Sequence, residues 1–264
     1  MSRSLGRLST NSNPQNIHRV RIESRRLEAL VANLASESRN QKKLLKLLSK
    51  LRKTAGRVRD LDVQIAFLEQ WKFPDRQNHR SRLLETLTAE KAQRSKKLAK
   101  HFHKEKLREV RKRLGRVEPE LELEHLDPLR VAVRGLTRLG PMPLNDETLH
   151  AYRIAFKRAR YLAELALDSP LAHTFIADLK RAQEEIGQWH DMLKLTERAE
   201  ELFGAVHDSA LVSMLGNITR ARFKSAGTAL LVAIQAVSQL ESALTAPEKH
   251  SRDGQLEQAQ TAAA

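Results

Sequence analysis

The sequence predicts an all-α protein built as two pseudo-symmetric, repeated four-helix bundles. Three observations predict it. Leu, Ala, Lys, Arg, Glu and Gln, all good helix formers, dominate the 264 residues, and only 10 Gly and 8 Pro interrupt them. Sustained strand-type alternation is absent. A pattern of residues in the first helix, and a second pattern in the next, both recur about half a chain later.

The elements follow in order. A first helix is expected over about residues 14–38, opened by Pro14. A second runs over about 40–71, and the segment 72–78, with Pro74, reads as a loop. A third helix over about 79–102 and a short, very basic one over about 104–116 come next. Pro119 and the acidic stretch 118–124 break the pattern before a helix at about 126–139. Gly140-Pro141-Met142-Pro143 is the clearest punctuation in the chain. Helices follow at about 146–167 and 171–203, with one or two more between 207 and 244. The expected organisation is a disordered tail over 1–14, a first bundle over 15–140, a second over 141–245 and a disordered tail over 246–264.

Charge narrows the function classes. The net charge is +15 and the pI about 10.3, so the chain is expected to gather polyanions: nucleic acid, an anionic membrane or polyphosphate. The charge is uneven. Residues 1–140 hold 34 Lys/Arg against 16 Asp/Glu, a net of +18, and residues 141–264 hold 13 against 16, a net of −3. The absence of cysteine excludes disulfides, thiolate metal sites and a cysteine nucleophile. No uninterrupted apolar run approaches the ~20 residues of a membrane span, and residues 1–14 lack the apolar stretch of a secretory signal, so a cytoplasmic protein without membrane attachment is expected.

The repeat carries the chemistry. His18-Arg-Val-Arg21-Ile22-Glu-Ser-Arg25-Arg26 matches His150-Ala-Tyr-Arg153-Ile154-Ala-Phe-Lys157-Arg158, displaced by 132 residues. In the following helix, Gly56-Arg-Val-Arg59-Asp60 matches Gly187-Gln-Trp-His190-Asp191, displaced by 131. At about 100° per residue, His18, Arg21 and Arg25 share one face and Arg26 flanks it, while Val20, Leu27, Val31 and Leu34 lie opposite. In the second copy His150, Arg153 and Lys157 align, with Arg158 and Arg160 beside them, opposite Tyr152, Phe156, Ala159 and Ala163. Like charges one helical turn apart cost a few tenths of a kcal/mol per pair, a cost an anion removes. Arg grips phosphate bidentately and Lys acts as a point charge. Histidine beside a polyanion gains a second donor on protonation.

The second helix adds a stripe of Lys42, Lys46, Lys50, Lys53 and Arg57, with Lys43 and Arg59 nearby; in the second copy only Lys180 and Arg181 remain there. Lys91 and Arg94 on the third helix, Arg222 with Arg220 and Lys224 near the end, the basic run 104–116 and the series Arg130, Arg134, Arg138 are further candidates. Asp60 and Asp191 either orient a neighbouring Arg or His or make structural salt bridges. Gly56 and Gly187 are expected to allow close packing or a kink, and Trp71 and Trp189 to fill the core. Neither His101-x-His103 nor Asp60-x-Asp62 places its two side chains on one helix face, so no metal site is expected. No Walker A, GxGxxG, GxSxG or HExxH sequence occurs, and no aromatic residues interleave with the basic stripes as a single-strand nucleic-acid binder requires. No cofactor and no oligomeric state follow from the sequence.

The duplicated helix His18–Leu27 and His150–Tyr161, each followed by Gly-x-x-x-Asp, resembles the CHAD (conserved histidine α-helical domain) family over about residues 15–245. The resemblance implies paired four-helix bundles that bind long-chain inorganic polyphosphate on basic patches, often at polyphosphate granules. It carries this role to His18, Arg21, Arg25 and Arg26, to His150, Arg153, Lys157 and Arg158, and then to the basic residues of the second helix. A non-catalytic polyphosphate binder is the leading expectation, a protein contacting nucleic-acid backbones the alternative. The charge difference predicts that the first copy dominates binding.

Overall fold

A computed structural model of the chain describes residues 13–35, 37–71, 75, 77–101, 104–118, 127–140, 142–166, 168–204 and 208–245. Among them lie eight α-helices and no strand: α1 (Pro14–Leu34), α2 (Arg39–Gln70), α3 (His79–His101), α4 (Lys104–Val117), α5 (Pro128–Thr137), α6 (Asp146–Ala163), α7 (Pro170–Phe203) and α8 (Ala210–Thr245). The expected tails lie outside the described residues, apart from Asn13 and Pro14.

Short polar side chains fix where the helices begin. Asn13 accepts from the Asn16 amide at 2.8 Å ahead of Pro14, and Ser38 accepts from that of Gln41 at 3.0 Å. Asp127 caps α5 and Asn145 caps α6 in the same way. Each cap satisfies an amide that the first helical turn leaves without a partner, worth ~1 kcal/mol. Gly204, at φ 80°, closes α7 in a conformation that side chains with a Cβ avoid. The last stretch forms one helix of 36 residues.

Apolar positions at helical spacing decide the packing. Ile17 and Val20 of α1, Leu51, Ala55 and Val58 of α2, Leu98 of α3 and Val110 of α4 form one cluster; Val31, Leu44, Leu48 and Val117 extend it along α1, α2 and α4. A larger cluster joins α5 to α8 around Phe156, Trp189, Leu149 and Ile186. The opposite-face set Tyr152, Phe156, Ala159 and Ala163 is buried, as the wheel requires, and so is Trp189. Trp71 instead ends α2, half-buried and tilted against Phe67. The expected boundary also moves. α5 precedes the Gly-Pro break, yet it packs on α6 and α8 in the second cluster.

A further cluster crosses between the halves. Leu61, Ile65 and Leu68 of α2 and Leu83 and Leu87 of α3 pack with Met192, Leu195 and Ala199 of α7 and Leu211, Val212 and Leu215 of α8. Beside it His79 stacks on Phe203 at 4.2 Å and shares a 2.7 Å hydrogen bond with Ser209. By length and composition α8 is apolar enough to cross a bilayer, although no continuous apolar run signals it. Its buried residues Ala226, Leu230, Ala233, Val237 and Leu240 recur every three or four positions and face α5, α6 and α7, so one face of the helix packs on the core while Leu231 and Val232 stay exposed.

Candidate functional site

The two His/Arg/Lys faces do not stand apart on separate bundles. Helix α1 packs directly on α6, and the two motifs meet at that contact. Arg25 of α1, Arg52 of α2, and Arg153, Lys157 and Arg158 of α6 line one cavity of about 560 Å³, with Tyr161 and Glu28. The two faces, one expected on each bundle, thus contribute to one cavity. Each stripe lies opposite its own core, and that direction points it at the other copy.

Burial and mutual repulsion govern the charges here. Lys157 loses water and faces Arg153, Arg25 and Arg21, with Asp191 opposing, and its pKa falls to about 6. Burial and then Arg21 pull Arg25 down to about 10, and burial lowers Arg153 against the pull of Asp191. His18 and His150 are exposed, and burial of part of each ring together with the neighbouring cations lowers both pKa values. His190 lies 5.3 Å, ring to ring, from His150 and is pushed down to about 3 by burial, then by Arg153. The site thus holds its imidazoles and Lys157 largely neutral at pH 7.

The acids orient this cluster. Arg21 donates to Asp60 at 2.7 Å, a contact that fits either role expected of that residue. Asp191 sits near Arg153, Arg21, Lys157 and Asp60, and burial raises its pKa. Arg52 donates through Nε to Glu28 at 2.6 Å, and burial raises the Glu28 pKa despite that partner. The Nε atoms of Arg21 and Arg153 are buried without a hydrogen-bond partner among the described residues, so the cation cluster is not fully satisfied from within the chain. Gly56 lies beneath Arg21: a Cβ there would sit 3.7 Å from its Nε, in ordinary contact, whereas one at Gly187 would meet nothing.

The α2 stripe runs along the rim. Lys42, Lys43, Lys46, Lys50, Lys53 and Arg57 are exposed, about a quarter-turn around the helix from Leu45, Ser49 and Arg52, which line the cavity. Only Lys42 has an ion pair recorded among the described residues, to Glu37 at 3.5 Å. Arg59 is half-buried beside His18.

Other candidates lie elsewhere. Arg26 pairs with Glu164 at 2.9 Å and Arg160 reaches the same carboxylate at 3.8 Å, both over the Tyr161 ring. Lys91 pairs with Asp62 at 2.8 Å, and Arg94 with Glu90, which Arg198 of α7 also holds; these tie α3 into the bundle. Lys180 and Arg181 pair with Glu184 and Asp178 on α7, and Arg181 lines a different cavity against α8. Arg222 is exposed on α8, and Arg130 pairs with Asp127. α4 turns Val110 and Val117 inward and leaves Arg108, Arg111, Lys112 and Arg116 exposed. His103 lies outside the described residues, and no group of three or more metal-ligating side chains is found among those described.

Arg52, Glu28 and Tyr161 escaped the sequence reading. The available signal was Arg52 itself. It departs from the exposed lysine stripe toward the flank of Leu48 and Leu51, where a charge needs a partner.

No curated protein and no solved structure matches the chain. The CHAD domain family model matches residues 5–200, from ahead of α1 to near the end of α7, and takes in both copies of the motif that builds the groove. With that match over most of its length, the chain belongs to the CHAD domain family.

Proposed function

We propose that this protein binds linear inorganic polyphosphate, without catalysis, in the groove between α1, α2 and α6. One observation carries the reading: both copies of the motif deliver cations to a single cavity, where Arg25, Arg52, Arg153, Lys157 and Arg158 converge and Glu28 is the only carboxylate in the lining. Four guanidiniums lining one cavity favour a ligand presenting several anionic oxygens in series. The exposed cations from Lys42 to Arg57 continue the path for ~22 Å along α2. Two pseudo-symmetric four-helix units, a cytoplasmic setting and association with polyphosphate granules complete the proposal. The repeated motif and the family support it.

The deciding experiment is a competition at about 150 mM salt, where weak long-range attraction is screened. Labelled long-chain polyphosphate is displaced by unlabelled polyphosphate, duplex DNA or RNA. Displacement by polyphosphate at concentrations well below those of either nucleic acid is expected. Stronger displacement by DNA or RNA would instead favour recognition of nucleic-acid backbones. Orthophosphate release from polyphosphate, with or without divalent metal, would refute the non-catalytic assignment.

A further inference from the structure

The cationic groove adjoins a second, chemically opposite one. Between α5 and α6 lies a cavity of about 370 Å³ lined by Val131, Gly135, Leu139, Ala151, Ala155 and Leu162, among others. Three residues, Asn33, Ile154 and Arg158, line both spaces and mark the border. Among the described residues, Asn33 and Arg158 are the only polar side chains in the apolar lobe, and both stand at that border. The Asn33 amide already donates to the Ala29 carbonyl at 2.7 Å. Ile154 is 41% exposed at the junction, a large apolar side chain next to Arg153, Lys157 and Arg158.

A bare phosphate chain has nothing to place in an apolar lobe. An amphipathic ligand does: its anionic head meets the cations while its body displaces water from aliphatic walls. The lobe offers almost no hydrogen-bonding side chain to read the edge of a base, so the fitting body is aliphatic.

We propose that the two lobes together form a binding site for a phosphate or diphosphate ester carrying an aliphatic chain, head in the Arg25/Arg153/Lys157/Arg158 lobe and chain against α5 and α6. The inference rests on the cationic lobe being the phosphate site proposed above. It adds a ligand class that inorganic polyphosphate does not represent.

Calorimetry on the full chain with inorganic diphosphate, decyl diphosphate below its micelle concentration and adenosine diphosphate tests it. Each buried methylene strengthens binding about fourfold, so seating only three gives about 60-fold. Decyl diphosphate is expected to bind at least tenfold tighter than inorganic diphosphate and to compete with polyphosphate. Gly135→Gln fills the apolar lobe with a neutral side chain; a Cβ there meets nothing within 4 Å, and helix propensity improves. This variant is expected to erase the decyl advantage and leave inorganic diphosphate and polyphosphate binding as they were.

Affinities of decyl and inorganic diphosphate within twofold of one another overturn the proposal, even where polyphosphate still binds. Adenosine diphosphate tighter than decyl diphosphate overturns the aliphatic assignment. A dimer that Gly135→Gln dissociates puts a second copy of the chain in the lobe and also overturns it. Tight decyl diphosphate binding with no polyphosphate binding would sink the proposed function and leave this site standing.

Discussion

Replacing Lys157 with arginine should flatten the pH dependence of polyphosphate binding. In the free protein, burial and then Arg153, Arg25 and Arg21 hold the Lys157 pKa near 6, so between pH 7.0 and 8.5 the amine is mostly neutral. A bound polyanion favours the ammonium, and binding then takes up a proton, becoming tighter as pH falls. If the ligand restores the ordinary lysine value of about 10.4, affinity at pH 7.0 exceeds that at pH 8.5 by about 30-fold, or ~2 kcal/mol. Partial restoration lowers the ratio toward tenfold. Arginine stays charged throughout, so Lys157→Arg should bind with nearly the same affinity at both pH values. Burial and the same cations also lower His18 and His150, and any proton these imidazoles take up on binding is common to both proteins, so the difference between the two slopes isolates Lys157. Calorimetry in two buffers of different ionisation enthalpy measures the proton uptake directly, with long chains whose internal groups stay ionised. Equal pH slopes for the native protein and Lys157→Arg, with no proton uptake, would refute the assignment of Lys157 to the phosphate site.

Four further outcomes follow. Arg25→Ala and Arg153→Ala should each weaken polyphosphate binding by ~1.5–3 kcal/mol, about 10- to 150-fold, and by similar amounts despite the charge difference between the halves; binding assays at fixed salt check this. Thermal scans of the ligand-free chain should show stability rising from pH 6 to pH 8, because the unfolded chain binds the Lys157 proton that the folded chain has shed; a fall would contradict the sign. Alanine at Lys46, Lys50 and Lys53 together should weaken long chains but not tripolyphosphate, and make long-chain binding less salt-dependent, as filter binding across a salt series would show. Trp189→Ala removes the largest fully buried side chain and should cost ~3–5 kcal/mol in urea unfolding.

Local signals in the sequence placed most helices well. Pro14, Asn145 with Asp146, and Gly204 mark ends through backbone chemistry that acts within a few residues. The apolar stripe of α6 was equally plain, since Tyr152, Phe156, Ala159 and Ala163 repeat at helical spacing. The α6 terminus fell short of the expected end near residue 167, because Glu164 caps the helix and the chain turns through Leu165 and Ala166 toward Pro170. What escaped was relational. A helical wheel shows that Arg21 and Arg153 point away from their own cores, but not that they point at each other. Nothing in the residues from 126 to 139 says that α5 joins the second cluster rather than the first. Solvated and structural cations often look alike in sequence: Glu90 stands one turn ahead of Arg94, but nothing local pairs Lys91 with Asp62 of α2, so Lys91 resembles Lys46 until the helices are packed.

A duplicated binding helix ordinarily gives a protein a spare: one copy keeps the task while the other drifts. The meeting of α1 and α6 removes that freedom. Arg25 and Arg21 of the first copy help hold Lys157 of the second near 6, so a change in α1 shifts the charge carried by α6. The cluster of Leu61, Ile65 and Leu68 against Met192, Leu195 and Ala199 binds the halves below the same groove, so neither can be shed without exposing that surface. Lys157 opposite Arg25 is therefore a complement rather than a worn duplicate: an amine that titrates near neutral pH set among guanidiniums that stay charged there.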